Sequence, residues 1–157
     1  MTVEIEEVTD LDAVWPELSA LFLALHSYHE PWLSRRLRDD WEPRWREYVR
    51  LRDDRLILIA RDGGHAIGYY NVTIRRDYGI FDELVGFIDD AYIEPEYRSA
   101  GLGRRLLRHA EAWCRERGAP EVRLNVIAGN KLGVRFWTLS GFELQSMNMR
   151  KPLERAP

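Results

Sequence analysis

Cysteine is almost absent from this chain of 157 residues: Cys114 is its one thiol. That excludes an internal disulfide and a zinc site built from several cysteines. A lone thiol fits a reducing compartment. No apolar run is long enough to span a bilayer. The opening Met1-Thr2-Val3-Glu4-Ile5-Glu6-Glu7 has neither the basic segment nor the apolar segment of a secretory leader. These absences predict a cytoplasmic chain with no membrane partner. They also set aside the glycosylation sequon at Asn71-Val72-Thr73. An excess of positive charge is missing too, since the formal net charge is -3. A general nucleic-acid binder is usually basic, so nucleic acid is not an expected partner.

What is present is an ordinary globular mixture, 45% hydrophobic and 31% charged. The length suits one domain, residues 1–157, large enough to bury a core without staples. No repeat, linker or low-complexity tract interrupts it. Val3 and Ile5 alternate with Glu4 and Glu6, as in a half-buried strand. Val14, Leu18, Leu21, Phe22 and Leu25 have helical spacing. Pro16 is acceptable in a first turn, which predicts a start near Trp15. A second helix is predicted over residues 40–51. Strands follow over 56–61 and 65–74, joined by a hairpin at Asp62-Gly63-Gly64. A longer strand covers 84–93 and stops at Glu94-Pro95. Then come a helix over 101–117 ending at Gly118, a strand over 122–127, a helix over 130–139 and a last strand over 142–149. The order β-α-α-β-β-β-α-β-α-β implies an α/β (α+β) fold, with a mixed sheet flanked by helices.

The segment Ile93-Glu94-Pro95-Glu96-Tyr97-Arg98-Ser99-Ala100-Gly101-Leu102-Gly103 carries the chemistry. A strand ends, a glycine-bearing loop follows, and a helix begins. Amides at a helix N-terminus lack intrahelical partners and sit at the positive end of the dipole. Glycines let a ligand approach them, which makes an anion site suited to phosphate. Arg98, Arg104 and Arg105 add positive charge. The spacing fits neither a dinucleotide fingerprint nor a Walker A loop.

Ile93, Pro95, Arg98, Gly101 and Gly103 fill the pattern apolar-x-Pro-x-x-Arg/Gln-x-x-Gly-x-Gly/Ala. Downstream, Asn130, Gly133, Phe136, Trp137, Gly141 and Phe142 follow Asn-x-x-Ala-x-x-Phe-Tyr and Gly-Phe. Together these motifs resemble the GNAT superfamily of acyl-CoA-dependent N-acetyltransferases, and the intervals match from Val3 to Leu153. The resemblance implies a GNAT fold with a mostly antiparallel sheet. It implies acetyl-CoA as cosubstrate, no metal, and direct attack of a primary amine on the thioester. Backbone of Ala91, Tyr92 and Ile93 would pair with the pantetheine amides. Amides of Arg98, Ser99, Ala100, Gly101, Leu102 and Gly103, with Arg104 beside them, would hold the pyrophosphate. Asn130, Phe136 and Trp137 would complete the cofactor contacts. The family often dimerises, so a homodimer is an expectation carried by resemblance alone.

An aliphatic ammonium, with a pKa of about 10.4, must lose a proton before it attacks. Asp89 and Asp90 are the candidate bases, with Asp89 favoured, acting through a water. Successive strand residues face opposite sides, so both reach one cleft only if a bulge intervenes. Both read equally well as charges that attract a cationic amine. With Asp77, Asp82 and Glu83 they form an acidic group favouring a cationic acceptor. Trp137 stands where many family members carry a Tyr acid for the departing thiolate, and an indole N–H donates no useful proton. Tyr92 and Ser140 are substitutes, and a catalytically weak acyl-CoA-binding module is the alternative function. His26 and His29 read as loop or pocket residues, Cys114 as core, and Trp32, Trp41, Trp45 and Tyr48 as helix packing or an acceptor pocket.

Overall fold

The computed structural model describes residues 2–156, which group into two compact units, one ending at Asn125 and the other beginning at Val126. The first unit holds β1 (Val3–Glu7), α1 (Leu11–His29), α2 (Trp41–Tyr48), β2 (Arg55–Asp62), β3 (His65–Arg76), β4 (Leu84–Ile93), α3 (Leu102–Glu116) and β5 (Val122–Leu124). The second holds α4 (Lys131–Leu139). The sheet runs β1-β2-β3-β4-β5, antiparallel except for the parallel β4/β5 pair.

α1 begins at Leu11, a turn before the position read from Pro16. Asp10 Oδ1 accepts from the amides of Asp12 and Ala13, which starts the helix there. The acceptor that Pro16 cannot serve is the carbonyl of Asp12, an exposed residue in the first turn, where a missing bond is tolerated. The Asp62-Gly63-Gly64 hairpin joins β2 to β3, with both glycines at positive φ (54° and 88°).

The two faces of the sheet are covered by different helices. Ile57, Ile59 and Tyr69 pack with Val14, Leu18, Phe22 and Leu25 of α1 and with Trp45 of α2. Trp45 stacks on Phe22 at 4.0 Å between centroids, and Trp41 stacks on it at 5.3 Å. Those two tryptophans therefore serve helix packing. On the other face α3 buries Leu102, Leu106, Leu107, Ala110, Trp113 and Cys114. Each of the three leucines contributes about 1.5–3 kcal/mol by leaving water. A Cβ on Gly86 would sit 2.5 Å from Cys114 Sγ, so glycine is what lets α3 rest on β4. Cys114 is buried, and desolvation pushes its thiol up to about 11, which suits a core residue.

Two expectations are corrected. β5 covers Val122–Leu124 and does not reach residue 127. The expected last strand over 142–149 makes no ladder among the described residues, so the observed order is β-α-α-β-β-β-α-β-α. Its apolar residues change parity: Phe142 and Leu144 fall on even positions, Met147 and Met149 on odd ones. Leu144, Met147 and Met149 are all exposed. A pattern that switches faces cannot bury one side of a strand.

Candidate active site

β4 continues where β5 has stopped. Their pairing ends at Ile88↔Leu124, while β3 stays paired with β4 to Gly68↔Ile93. One edge of β4 from Asp89 to Ile93 therefore has no partner in β5, and Ala91, Tyr92 and Ile93 lie on that stretch. Such an edge takes up an extended ligand as it would another strand. Gly68 supports this end: a Cβ there would lie 2.7 Å from the Tyr92 carbonyl oxygen.

The chain then makes a single 3-10 turn over Pro95–Tyr97 and enters α3. Tyr97 donates its hydroxyl to Asp62 Oδ2 at 2.9 Å, and the Glu94 amide bonds Ile67 O, so the loop is tied to β2 and β3. Gly101, at φ 78°, caps α3 with no side-chain hydrogen bond. The first closing bond runs from the Arg105 amide to Gly101 O. Leu102, Gly103 and Arg104 thus present amides without intrahelical acceptors. Ser99, at φ 69°, holds the left-handed region although it is not glycine. The Arg98 amide is spent within the turn, on Pro95 O.

The arginines divide their labour. Arg98 donates Nε to the Ile93 carbonyl at 2.7 Å and lies over the Tyr28 ring (4.5 Å) and the Tyr92 ring (5.6 Å). Its guanidinium therefore braces the strand end against α1. Arg105 donates to Val3 O at 2.9 Å. Arg104 is exposed on the first turn and meets no protein acceptor among the described residues.

Beside the open edge lies a polar network in the sheet. β4 is bulged: Asn71 pairs with Asp90 and Val72 with Ile88, leaving Asp89 as the extra residue. Asp89 accepts from Thr73 Oγ1 at 3.1 Å, and Asp90 accepts from Asn71 Nδ2 at 2.8 Å. Thr73 and Asn71 share a face of β3, so the bulge turns both carboxylates toward the α1/α2 side. Asp89 is also paired with Arg75 at 3.2 Å and Arg55 at 3.8 Å. Asp90 keeps part of its surface open yet is crowded by protein. Burial pushes its carboxyl up to about 6; the Asn71 bond pulls it down, the Asp89 charge raises it and Arg55 lowers it. Next along the same face, Tyr69 has a fully buried hydroxyl with no hydrogen-bond partner among the described residues.

Arg55 and Tyr69 were not singled out from sequence, and Asn71 and Thr73 only as a glycosylation sequon that was set aside. Their signal is alternation in β3: Tyr69, Asn71 and Thr73 place polar atoms on every second position of a strand buried over most of its length. Asn71 is 1% exposed, so its sequon is closed to a glycan in the folded chain. Of the acidic group, Asp77 pairs with Arg123 and Asp89 with two arginines. Tyr28, His29 and Trp32 form an aromatic cluster at the end of α1, with Trp32 edge-on to Tyr28 at 5.3 Å. Burial, followed by Arg35 for His26 and by His26 for His29, lowers the pKa of these two histidines.

Asn130, Phe136 and Trp137 belong to the second unit. Asn130 caps α4 by accepting from the Gly133 amide at 3.0 Å, and a Cβ on Gly133 would meet Asn130 Nδ2 at 2.6 Å. The glycine found where the family pattern has alanine thus gives this cap its room. Trp137 packs against Phe136 (4.7 Å) and Phe142 (5.4 Å). No helix among the described residues is long and apolar enough to cross a membrane.

The chain is 36% identical over 69 residues to an aminoglycoside N(6')-acetyltransferase type 1 of Stenotrophomonas maltophilia, covering 43% of this chain and 45% of that protein. It is 32% identical over 93 residues to the mycothiol acetyltransferase of Nocardiopsis dassonvillei, covering 59% of this chain and 28% of that one. The chain thus spans less than half the length of either relative. In fold it is similar to the aminoglycoside N-acetyltransferase AAC(6')-Iy in complex with CoA, with a TM-score of 0.77 and 20% identity over 98% of this chain and 96% of that one. The model of the acetyltransferase (GNAT) family matches residues 15–142, across both units, and the chain belongs to that family.

Proposed function

We propose that this chain transfers an acetyl or other short acyl group from acetyl-CoA to a primary amine, as one acetyltransferase domain formed by both units. The carrying observation is the junction of two unpaired backbone features: the β4 edge from Asp89 to Ile93 and the uncapped amides opening α3. The edge suits the pantetheine amides, through Ala91, Tyr92 and Ile93. The amides of Leu102, Gly103 and Arg104, with the loop from Ser99 to Gly101, suit a diphosphate. In this reading Arg98 shapes the cradle, and Arg104 supplies exposed charge.

Asp90 is the better-supported base. Asp89 has its oxygens engaged by Thr73, Arg55 and Arg75. Asp90, raised to about 6, is ionised at neutral pH and more basic than an ordinary carboxylate. It takes the proton as the amine nitrogen bonds to the thioester carbon. The tetrahedral adduct then collapses, breaking the carbon–sulfur bond and releasing the thiolate of coenzyme A.

The relatives' names, aminoglycoside N(6')-acetyltransferase and mycothiol acetyltransferase, support a small amine-bearing acceptor. A second reading, an acyl-CoA-binding module with weak catalysis, rests on Trp137 in the place of a tyrosine acid. Thiol release from acetyl-CoA across a panel of primary amines, cationic and neutral, decides between them once calorimetry has shown coenzyme A uptake. Uptake with no turnover on any amine selects the module, and no uptake removes both readings.

A further inference from the structure

Arg55 lies in β2 and Asn71 in β3, the strands on the paired side of β4. Arg55 has only 9% of its side chain exposed. Its Nη1 donates to Asn71 Oδ1, and its guanidinium lies over the Tyr48 ring at 5.1 Å. Asn71 is 1% exposed, and its Nδ2 donates to Asp90 Oδ2 at 2.8 Å. The two ends of an amide have nearly the same shape but opposite hydrogen-bonding character. A guanidinium can only donate, so Arg55 takes Oδ1 and the donor end must face Asp90. The flipped amide would set an oxygen against a carboxylate and an NH2 against a guanidinium.

We propose that Arg55 is a positioning residue for Asp90, acting through the Asn71 amide to hold that carboxylate in its proton-accepting form. This rests on the reading of Asp90 as the base. Without Arg55 the amide is free to flip and accept a bond from a protonated Asp90, which would favour the inactive acid. With Asn71 holding Oδ2, Oδ1 is the oxygen placed to take the proton of the incoming amine. The ionisable groups around Asp90 are Arg55 from β2, Tyr69 and, through Asp89, Arg75 from β3, and Asp89 from β4. α2 contributes the Tyr48 ring over Arg55. The histidines on the packed end of α1, His26 and His29, respond to burial, to Arg35 and to each other.

The test is the pH profile of kcat/KM, together with a 13C-carboxyl NMR titration of Asp90, in Arg55→Gln, Arg55→Lys, Asn71→Ser and the double variant Arg55→Gln/Asn71→Ser. Hydrogen bonding to the charged form sets the scale of the effect. The acid limb and the Asp90 titration should both move up by about one pH unit in Arg55→Gln and in Asn71→Ser, a tenfold loss at the acid end. Arg55→Lys keeps the charge without the fork and should move them less; it also serves if Arg55→Gln does not fold. The double variant should shift by clearly less than the sum of the two single variants, since the path through Asn71 is shared and only the direct charge of Arg55 adds to it. Unmoved midpoints, or additive shifts in the double variant, would overturn the proposal. Asp90→Asn separates this failure from that of the underlying reading. If it keeps wild-type turnover and acid limb, Asp90 is not the base; if it is inactive while the Arg55 variants leave the limb in place, only the role of Arg55 fails.

Discussion

Replacing Asp90 by Asn should make the protein more stable and nearly inactive at the same time. The carboxyl rises from an ordinary 3.8 to about 6 in the folded chain. A folded pKa above the unfolded one means that the native state binds the proton more tightly. Asp90 therefore costs no stability below about pH 3.8; the cost grows as pH rises toward 6 and is constant above it. Roughly two pH units at about 1.36 kcal/mol each set that cost near 3 kcal/mol at pH 8. Asn removes it while keeping an oxygen for Asn71 Nδ2. Its own NH2 must find an acceptor, which returns about 1 kcal/mol. The net gain of about 2 kcal/mol corresponds to roughly 4–8 °C in Tm for a chain of this size. Thermal melts of both proteins at pH 8 and pH 5 would show the gain shrinking at the lower pH. General-base catalysis is worth about 10²–10⁴-fold, and kcat should fall by that order. An Asp90→Asn protein no more stable than the parent at pH 8, or a difference unchanged at pH 5, would refute the buried, costly carboxylate.

Other changes test the remaining framework. Gly101→Ala forces a left-handed residue where a Cβ meets nothing within 4 Å, so the loss is conformational; about 1–2 kcal/mol should appear as weaker coenzyme A binding by calorimetry or as lower stability. Ser99→Gly relieves a left-handed non-glycine residue in the same loop and should raise the unfolding free energy from urea titration by up to about 1 kcal/mol. Gly86→Ala should destabilise by about 1–3 kcal/mol, and adding Cys114→Ala should recover much of it, because the clash is with Cys114 Sγ; equilibrium denaturation of the cycle reads this. In the native protein at pH 8 the Cys114 thiol should react with a disulfide reagent far more slowly than after unfolding, since burial holds it protonated.

Most of the sheet was legible in the sequence because its punctuation is local. Glu94-Pro95 ends β4, Asp62-Gly63-Gly64 turns the β2/β3 hairpin, and Gly118 at φ 82° closes α3. The start of α1 was misplaced because Pro16 outweighed a cap at Asp10, although an exposed first turn tolerates the missing bond. The strand expected over 142–149 failed on the parity of its apolar residues. At the site, the glycine loop was visible as a motif, but the use of Arg98 was not. Its acceptor is a carbonyl five residues back, and its stacking partner Tyr28 is seventy residues away. The Arg55–Asn71–Asp90 chain joins residues 16 and then 19 positions apart, and only strand register brings them together. That both aspartates turn to one face was equally hidden, because a bulge is decided by the partner strand.

That bulge also limits how β4 can be altered. An unmatched residue shifts the odd–even count along everything that follows it, so Asp90 to Ile93 are oriented by one insertion at Asp89. Were the ladder to run in step through Asp89 instead, Asp89 would stand opposite Asn71 and Asp90 opposite Tyr70, and the second carboxylate would go to the side covered by α3 even though every amino acid was kept.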